Sequence, residues 1–390
     1  MTQVQTLLAV GDMILGGPDP DSNFALAGPI LRKADVLVGQ GEAPFTSRGI
    51  EKYYVEVPTE IFATPSCDPA NIRAFANAGF HVITLAGNHI WDSGVPGIED
   101  TISGLKKHGI AIAGAGMNID EARRPAILER NGTRFGFLNY NCTGPKLTWA
   151  TPDKPGCAYV QVVTAYELEH PTPGAPPTAY ALVLPPSLEE MKRDIRRLRP
   201  QCDLLVVCLH KGLGFVPAKL AMYEQQVSHA AIDAGADFII GHHAHMLRGV
   251  EFYNAKAIFH GLGHFVISKR PRDPKANPPW AVKQFVEKHK DLLGPYVEPD
   301  PEYPKHPYHP ETLQTIIAKC EIENGSISKV GYLPCLINKQ GQPEILKHDE
   351  KGQQIFDYMD RITRAANLNA QYEWDGDEVV IRPDASLKTD

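Results

Sequence analysis

The chain lacks the features that mark several large classes of protein. None of its apolar runs approaches the ~18 residues of a membrane span. No lysine- or arginine-rich run is longer than residues 192–199, and there Ile195 and Leu198 alternate with the charges, as on the solvated face of an amphipathic helix. With a formal net charge of -7 and no basic patch, neither a nucleic acid nor an anionic membrane is an expected partner. The seven cysteines are odd in number, irregularly spaced and without a Cys-x-x-Cys pair, which argues against a disulfide framework. Cys202, Cys208 and Cys320 sit in apolar runs and read as inert core thiols, in keeping with a reducing compartment. The short apolar stretch 7–10 is interrupted by Asp12 and follows no basic segment, so no signal peptide is expected, and the expected location is cytoplasmic.

What is present is enough sequence, 390 residues, to bury a large core. The expected organisation is a single domain, 1–390, with insertions at about 142–187 and 270–310. Five apolar runs each end in polar residues: 7–10 before Gly11-Asp12, 36–38 before Gly39-Gln40-Gly41-Glu42, 82–86 before Gly87-Asn88-His89, 204–209 before His210, and 238–240 before Gly241-His242. Runs this short, rich in Val, Ile and Leu and without alternation, are those of strands buried on both faces. Helical stripes lie between most of them. Ile98, Ile102 and Leu105 follow Ser93 and Pro96 and stop at Gly109; Leu188, Met191, Ile195 and Leu198 stop at Pro200; Leu220, Tyr223 and Val227 stop at Gly235. Strand, helix, strand in this order predicts a largely parallel sheet with right-handed crossovers. Asn131-Gly132 predicts a type I′ hairpin, residues 251–259 a second, and 315–337 a third around Asn324-Gly325, before an amphipathic helix near 354–366. Two long stretches interrupt the rhythm, the Pro- and Thr-rich 142–187 and the Pro- and Tyr-rich 270–310; both read as lids or binding loops.

The densest chemical signal is Gly241-His242-His243-Ala244-His245. Each of its three imidazoles has two nitrogens to satisfy, and a metal ion is the simplest partner, a surface histidine cluster being the alternative. In open parallel sheets functional groups gather beyond the carboxyl ends of strands. Asp12, Glu42, Asn88, His89, His210 and the 242–245 cluster all fall at such ends, so they should share one edge. Singly, each has an ordinary explanation: a turn residue, a solvated carboxylate, a turn amide or a satisfied core histidine. Together they form a mixed oxygen and nitrogen donor set larger than one ion needs. Two divalent ions, Mn, Zn or Fe, would use it, polarising a phosphoryl or carbonyl oxygen and activating a water. His89 could then assist the leaving group, oriented by Asp92, for which a helix N-terminal charge is the other reading.

These motifs, with Gly114-Ala115-Gly116, Gly235-Ala236-Asp237 and Gly261-Leu262-Gly263-His264-Phe265, resemble the CapA family of poly-γ-glutamate and capsule synthesis proteins, similar in turn to calcineurin-like metallophosphoesterases. The resemblance covers about residues 5–365. It implies an α/β four-layer αββα sandwich of two mixed sheets with a dinuclear metal centre. It also implies Asp12, Glu42, Asn88, His210, His243 and His245 as ligands, with His242 or His243 undecided, and His89 as the acid. Lys211, Gly212, Leu213 and Gly214 stand where the family has a Trp and a downstream Glu, His264 replaces a late Asn, and His260 replaces a common aromatic. Lys211, Arg248, His260 and His264 are accordingly candidate substrate-binding groups, and Arg48, Lys146 and Lys269 further anion-binding candidates. The expected function is a metal-dependent hydrolase cleaving an amide, γ-glutamyl-like or cyclic, or a phosphoester of a small, anionic or amide substrate; a homo-oligomer is left open. A non-catalytic accessory protein of anionic-polymer synthesis is the alternative.

Overall fold

The computed structural model describes residues 4–48, 66–167, 178–268, 300–306 and 308–384, with 283, 284, 287, 288 and 386. Two large sheets account for most of the strands. In the first, the strands Gln5–Leu15, Val36–Gly41, Val82–Thr84 and Ala111–Ala113 run parallel. Beside Gln5–Leu15 lie the parallel strand His264–Ser268 and the antiparallel strand Gln314–Glu323, and the sheet continues through Ser326–Ile337 to the hairpin Ala370–Asp375/Glu378–Pro383. In the second, Thr133–Asn141, Leu204–His210, Phe238–His242 and Lys256–Phe259 run parallel, with antiparallel strands Ala126–Arg130 and Val250–Tyr253 at the edges.

Side chains along the strands go alternately to two apolar cores, so the runs carry no polar face. Leu7, Ala9, Val36, Val38 and Val82 of the first sheet meet Phe135, Phe137, Leu204, Val206, Phe238 and Ile240 of the second. Their neighbours Leu8, Val10, Leu37 and Ile83 turn outward onto Phe75, Ile98, Ile102 and Leu105. On the far side Leu205, Val207, Leu209 and Ile239 pack on Met191, Ile195, Leu198, Val227 and Ala231. The result is helix, sheet, sheet, helix, the four layers expected. The helix Glu350–Ala365 adds Ile355, Tyr358, Met359 and Ile362 to the core between the sheets, instead of covering an outer face.

Most elements fall where the sequence puts them. The helices are Gly94–Lys107, Pro185–Leu198 and Met222–Asp233, so Leu220 lies just outside the third, and Ser93 precedes the first without a side-chain capping bond. Asn131 and Gly132, and Asn254 and Ala255, take the paired positive φ values of type I′ turns. Three differences matter. The first strand does not end at Val10; it runs on to Leu15, because strands on both sides continue to pair with it, and Asp12 sits at a register shift within it. Gly11 permits this, since a Cβ there would collide with the Gly263 carbonyl, which accepts the Asp12 N–H at 3.0 Å. The stretch 142–187 is no plain loop: it holds the short strand Gly156–Cys157 and a ribbon of Val162–Glu167 with Thr178–Val183. The terminal hairpin 370–383 was not expected at all, and most of 270–310 lies outside the described residues. All seven cysteines are buried free thiols. Among the described residues no helix is long and apolar enough to cross a membrane.

Candidate metal centre

The carboxyl ends of the parallel strands of both sheets point to one rim. His210 and His242 end neighbouring strands and are register partners, with Asn141 on the other side of His210. Glu42 directly follows Val36–Gly41, and Asn88 and His89 follow Val82–Thr84 in the turn that leads to Gly94–Lys107. That turn is stapled across the sandwich by Asn139, whose Oδ1 accepts the Ala86 N–H at 2.6 Å while its Nδ2 donates to the Cys208 carbonyl at 3.1 Å.

Three donor atoms close a triangle. Asn88 Oδ1 lies 2.7 Å from His210 Nε2 and 3.1 Å from His243 Nδ1, and the two ring nitrogens are 3.2 Å apart. At most one of the two nitrogens can carry a proton if that last contact is attractive, whereas a cation shared by all three satisfies them together. The edges agree with one face of an octahedron around an ion with bonds of ~2.1 Å, for which adjacent ligands are about 3 Å apart. A second group adjoins it: ligand atoms of Asp12, Glu42 and His210 all lie within 4.8 Å of one another. His245 Nδ1 is 3.2 Å from Asp12 Oδ2 and its Nε2 is 3.9 Å from Glu42 Oε1. Among the described residues His210 Nδ1 and Asp12 Oδ1 are buried without a hydrogen-bond partner, the latter as a donor atom kept for an ion would be. The donor set thus fits divalent metal, with oxygen and nitrogen donors from both sheets gathered at one place.

Electrostatics holds these groups in the forms that bind metal. Burial, then the neighbouring imidazoles, puts His210 well below the ordinary histidine value, and burial pushes His243 down to about 3. Burial alone would raise the Asp12 carboxyl, but the hydrogen bond and charge of His245, with the charges of His242 and His243, take it below its ordinary value. Neutral imidazoles and an ionised carboxylate are what coordination requires.

The other expected residues divide. His243 enters the triangle, while His242 turns its Nε2 to the Val10 carbonyl at 3.2 Å. His89 Nδ1 donates to Asp92 Oδ2 at 2.6 Å, which leaves Nε2 facing Glu42 Oε1 at 4.0 Å. Lys211, Arg248 and His260 do not line the opening. They are fully buried in a network in which Lys211 Nζ is 2.7 Å from His260 Nδ1 and 3.5 Å from Glu224, Arg248 is 3.1 Å from Glu224, and His260 is 2.9 Å from Glu251. Apposed cations and carboxylates satisfy one another there, so these groups are not available to a substrate. Arg248 also donates to the carbonyls of Leu213, Val216 and Lys219, fixing the loop whose Phe215 ring packs 5.2 Å from His245. His264 is buried beside His245, at 4.6 Å between rings, with His306 and Tyr308 on its other side. Arg48 is paired with Glu99 and Asp100, Lys146 lies beside Trp149, and Lys269 is outside the described residues. Sequence reasoning missed Asn139, Phe215 and His306. Only the His- and Tyr-containing string 303–309 carried a signal.

Comparison with known proteins follows the same lines. The family model described as "Bacterial capsule synthesis protein PGA_cap" matches residues 6–269. The chain is 28% identical over 276 residues to "PGA biosynthesis protein CapA" of Bacillus subtilis, covering 68% of this chain and 64% of that one. It is 27% identical over 274 residues to "Capsule biosynthesis protein CapA" of Bacillus anthracis, covering 68% and 60%. The alignment therefore spans less than two thirds of either relative's length. A "Probable polyglutamine synthesis accessory protein" of Mycobacterium tuberculosis is 30% identical over 202 residues, covering 51% of this chain and 48% of that one. Among solved structures, calcineurin-like phosphoesterase YfkN from Bacillus subtilis is similar with a TM-score of 0.41 and 14% identity, covering 94% of this chain and 98% of that one.

Proposed function

The chain belongs to the bacterial capsule synthesis protein family PGA_cap, and we propose that it is a metal-dependent hydrolase acting on an amide or phosphoester of a small anionic substrate. The observation that carries this is the triangle of Asn88, His210 and His243 set against Asp12, Glu42 and His245. Asn88, His210 and His243 would hold one divalent ion, and Asp12, Glu42 and His245 would hold a second. Bound there, such ions supply Lewis acidity toward the scissile carbonyl or phosphoryl oxygen and acidify a water.

The chain's own residues supply the rest. Asp92 accepts the Nδ1 proton of His89 and so fixes the ring, leaving Nε2 to hold or deliver a proton at the leaving group. Phe215, anchored by its N–H to the Ala244 carbonyl at 2.9 Å, walls off the side of His245 from water. The buried Lys211–Glu224–Arg248 network fixes the loop that carries Phe215 without spending its charges on the substrate.

A second reading is an accessory protein of polymer synthesis without turnover, and the names of the Bacillus and Mycobacterium relatives favour it. Purified protein, analysed for metal, is assayed on aryl phosphates, phosphodiesters, and γ-glutamyl and cyclic amides. Turnover on one class that needs the metal and falls by at least about 10²-fold in His89→Ala supports the hydrolase. Full metal occupancy with no turnover on any class favours the accessory role.

A further inference from the structure

The strap 142–160 crosses the same rim. It leaves the strand Thr133–Asn141 beside His210, whose carbonyl accepts the Cys142 N–H at 2.8 Å. It then returns along the Gly87–Asp92 turn, where Cys157 Sγ is 4.0 Å from the Gly87 carbonyl. Lys154, on this strap, puts its Nζ 4.5 Å from the centre of the Trp91 ring, one residue from the Asp92 carboxylate that orients His89. Its ammonium donates to the Leu147 carbonyl at 2.7 Å and forms no ion pair among the described residues. The ring beneath it belongs to a buried residue, 4% exposed, whose indole N–H meets no acceptor among the described residues. A half-buried ammonium on an aromatic face, with one backbone carbonyl as its acceptor, keeps donor capacity and a charge with no anion beside it among the described residues. Of the other charged candidates, Arg48 is occupied by Glu99 and Asp100, and Lys211 and Arg248 by Glu224, while Lys146, on the same strap, stands farther from its ring, 5.9 Å from the centre of Trp149.

We propose that Lys154, standing on Trp91, receives a second anionic group of the substrate, a carboxylate or phosphate oxyanion set apart from the bond to be cleaved. Burial lowers the pKa of this lysine, and an arriving anion offsets that penalty on its charge. The assignment rests on the metal-centre reading above, and makes Lys154 a specificity-determining residue for it.

Binding to the metal-loaded protein tests this without turnover. Succinate, glutarate and adipate are titrated by calorimetry, each against the monocarboxylate of equal length, and the same lengths are repeated with a terminal phosphonate. The wild-type chain is expected to bind at least one dianion about tenfold tighter than its monoanion. The arm with the larger gain identifies the oxyanion. Lys154→Met should lose that gain and leave monoanion binding unchanged, Lys154→Gln, which keeps a donor for Leu147, should do the same, and Lys154→Arg should restore most of it. A dianion preference that survives in Lys154→Gln, or is absent from the wild-type chain in both arms, overturns the assignment. Metal content of the same samples separates the two ideas. Ions retained without a preference defeat the Lys154 role alone, whereas no retained ions defeat the metal centre and the Lys154 role with it.

Discussion

At the scale of single residues, imidazoles here do two kinds of work that the sequence could not tell apart. Gly241-His242-His243-Ala244-His245 announced a cluster, but which rings joined it depended on backbone turns at His243, φ 87°, and His245, φ 59°. Positive φ at non-glycine residues is rare, and nothing in the local sequence signals it. His260 was legible as an unusual residue but not as a buried relay between charges. Its Nδ1 faces the Lys211 ammonium and its Nε2 donates to Glu251, so the neutral ring is the form that fits. Burial first, then the charge of Lys211, lowers its pKa from the ordinary 6.5 to about 4. The unfolded chain therefore binds a proton that the folded chain refuses in this window. The stability His260 contributes is complete above pH 6.5 and is lost as pH falls toward 4. Glu251 moves in the same sense: burial alone would raise it, but hydrogen bonds from His229 and His260 hold it below the ordinary 4.5, which adds a further loss at more acid pH. Urea midpoints of metal-free protein, followed from pH 8 to pH 4, should fall with acidification, and His260→Asn should flatten the slope between pH 6.5 and 4 by up to one proton, about 1.4 kcal/mol per pH unit. An unchanged slope in the variant would show that His260 takes its proton without penalty.

At the scale of elements, apolar runs were the most readable part of the sequence, because strands buried on both faces leave no room for polar side chains. Helical stripes and Asn-Gly turns were equally plain. The ribbon within 142–187 and the hairpin 370–383 were not, since the ribbon strands and Ala370–Asp375 are mostly exposed or half-buried, and the buried run in Glu378–Pro383 is only the three residues 379–381, followed by Arg and Pro. What aligns one element with another was also hidden. Asn139 reads as an interruption in the apolar strand Thr133–Asn141, yet it ties that strand's sheet to the turn carrying Asn88 and His89. Asn139→Ala removes both bonds and leaves the Ala86 N–H buried without this acceptor. It should cost about 1–3 kcal/mol in denaturant unfolding. Metal retention should weaken along with it, because Asn88 loses its fixed position against His210. Lost stability with undiminished metal retention would separate the staple from the site.

At the scale of the whole molecule, the sequence placed the candidate ligands at the carboxyl ends of strands and predicted a common edge; Glu42, Asn88, His210 and the 242–245 cluster stand at or just beyond such ends, whereas Asp12 lies within the longer first strand. The sequence did not reveal that those strands belong to two facing sheets; the family resemblance supplied that. The difference has a physical consequence. A single sheet would set Asp12 and His210 in a row several strands apart, each strand about 4.8 Å from the next. In the sandwich, the first sheet supplies Asp12, Glu42 and Asn88 and the second supplies His210, His243 and His245, so the donors close on a space from opposite sides. Packing the two sheets is therefore also what assembles the centre, and ion binding should stabilise the folded chain. The most direct test is the metal content of protein loaded with Mn²⁺ or Zn²⁺ and freed of excess ion, compared among the wild-type chain, Asp12→Ala, His243→Ala and His242→Ala. The account predicts about two ions per chain in the wild type, loss of at least one in Asp12→Ala and in His243→Ala, and near-normal content in His242→Ala. A wild-type chain that retains no ion, or equal losses in His242→Ala and His243→Ala, would contradict it.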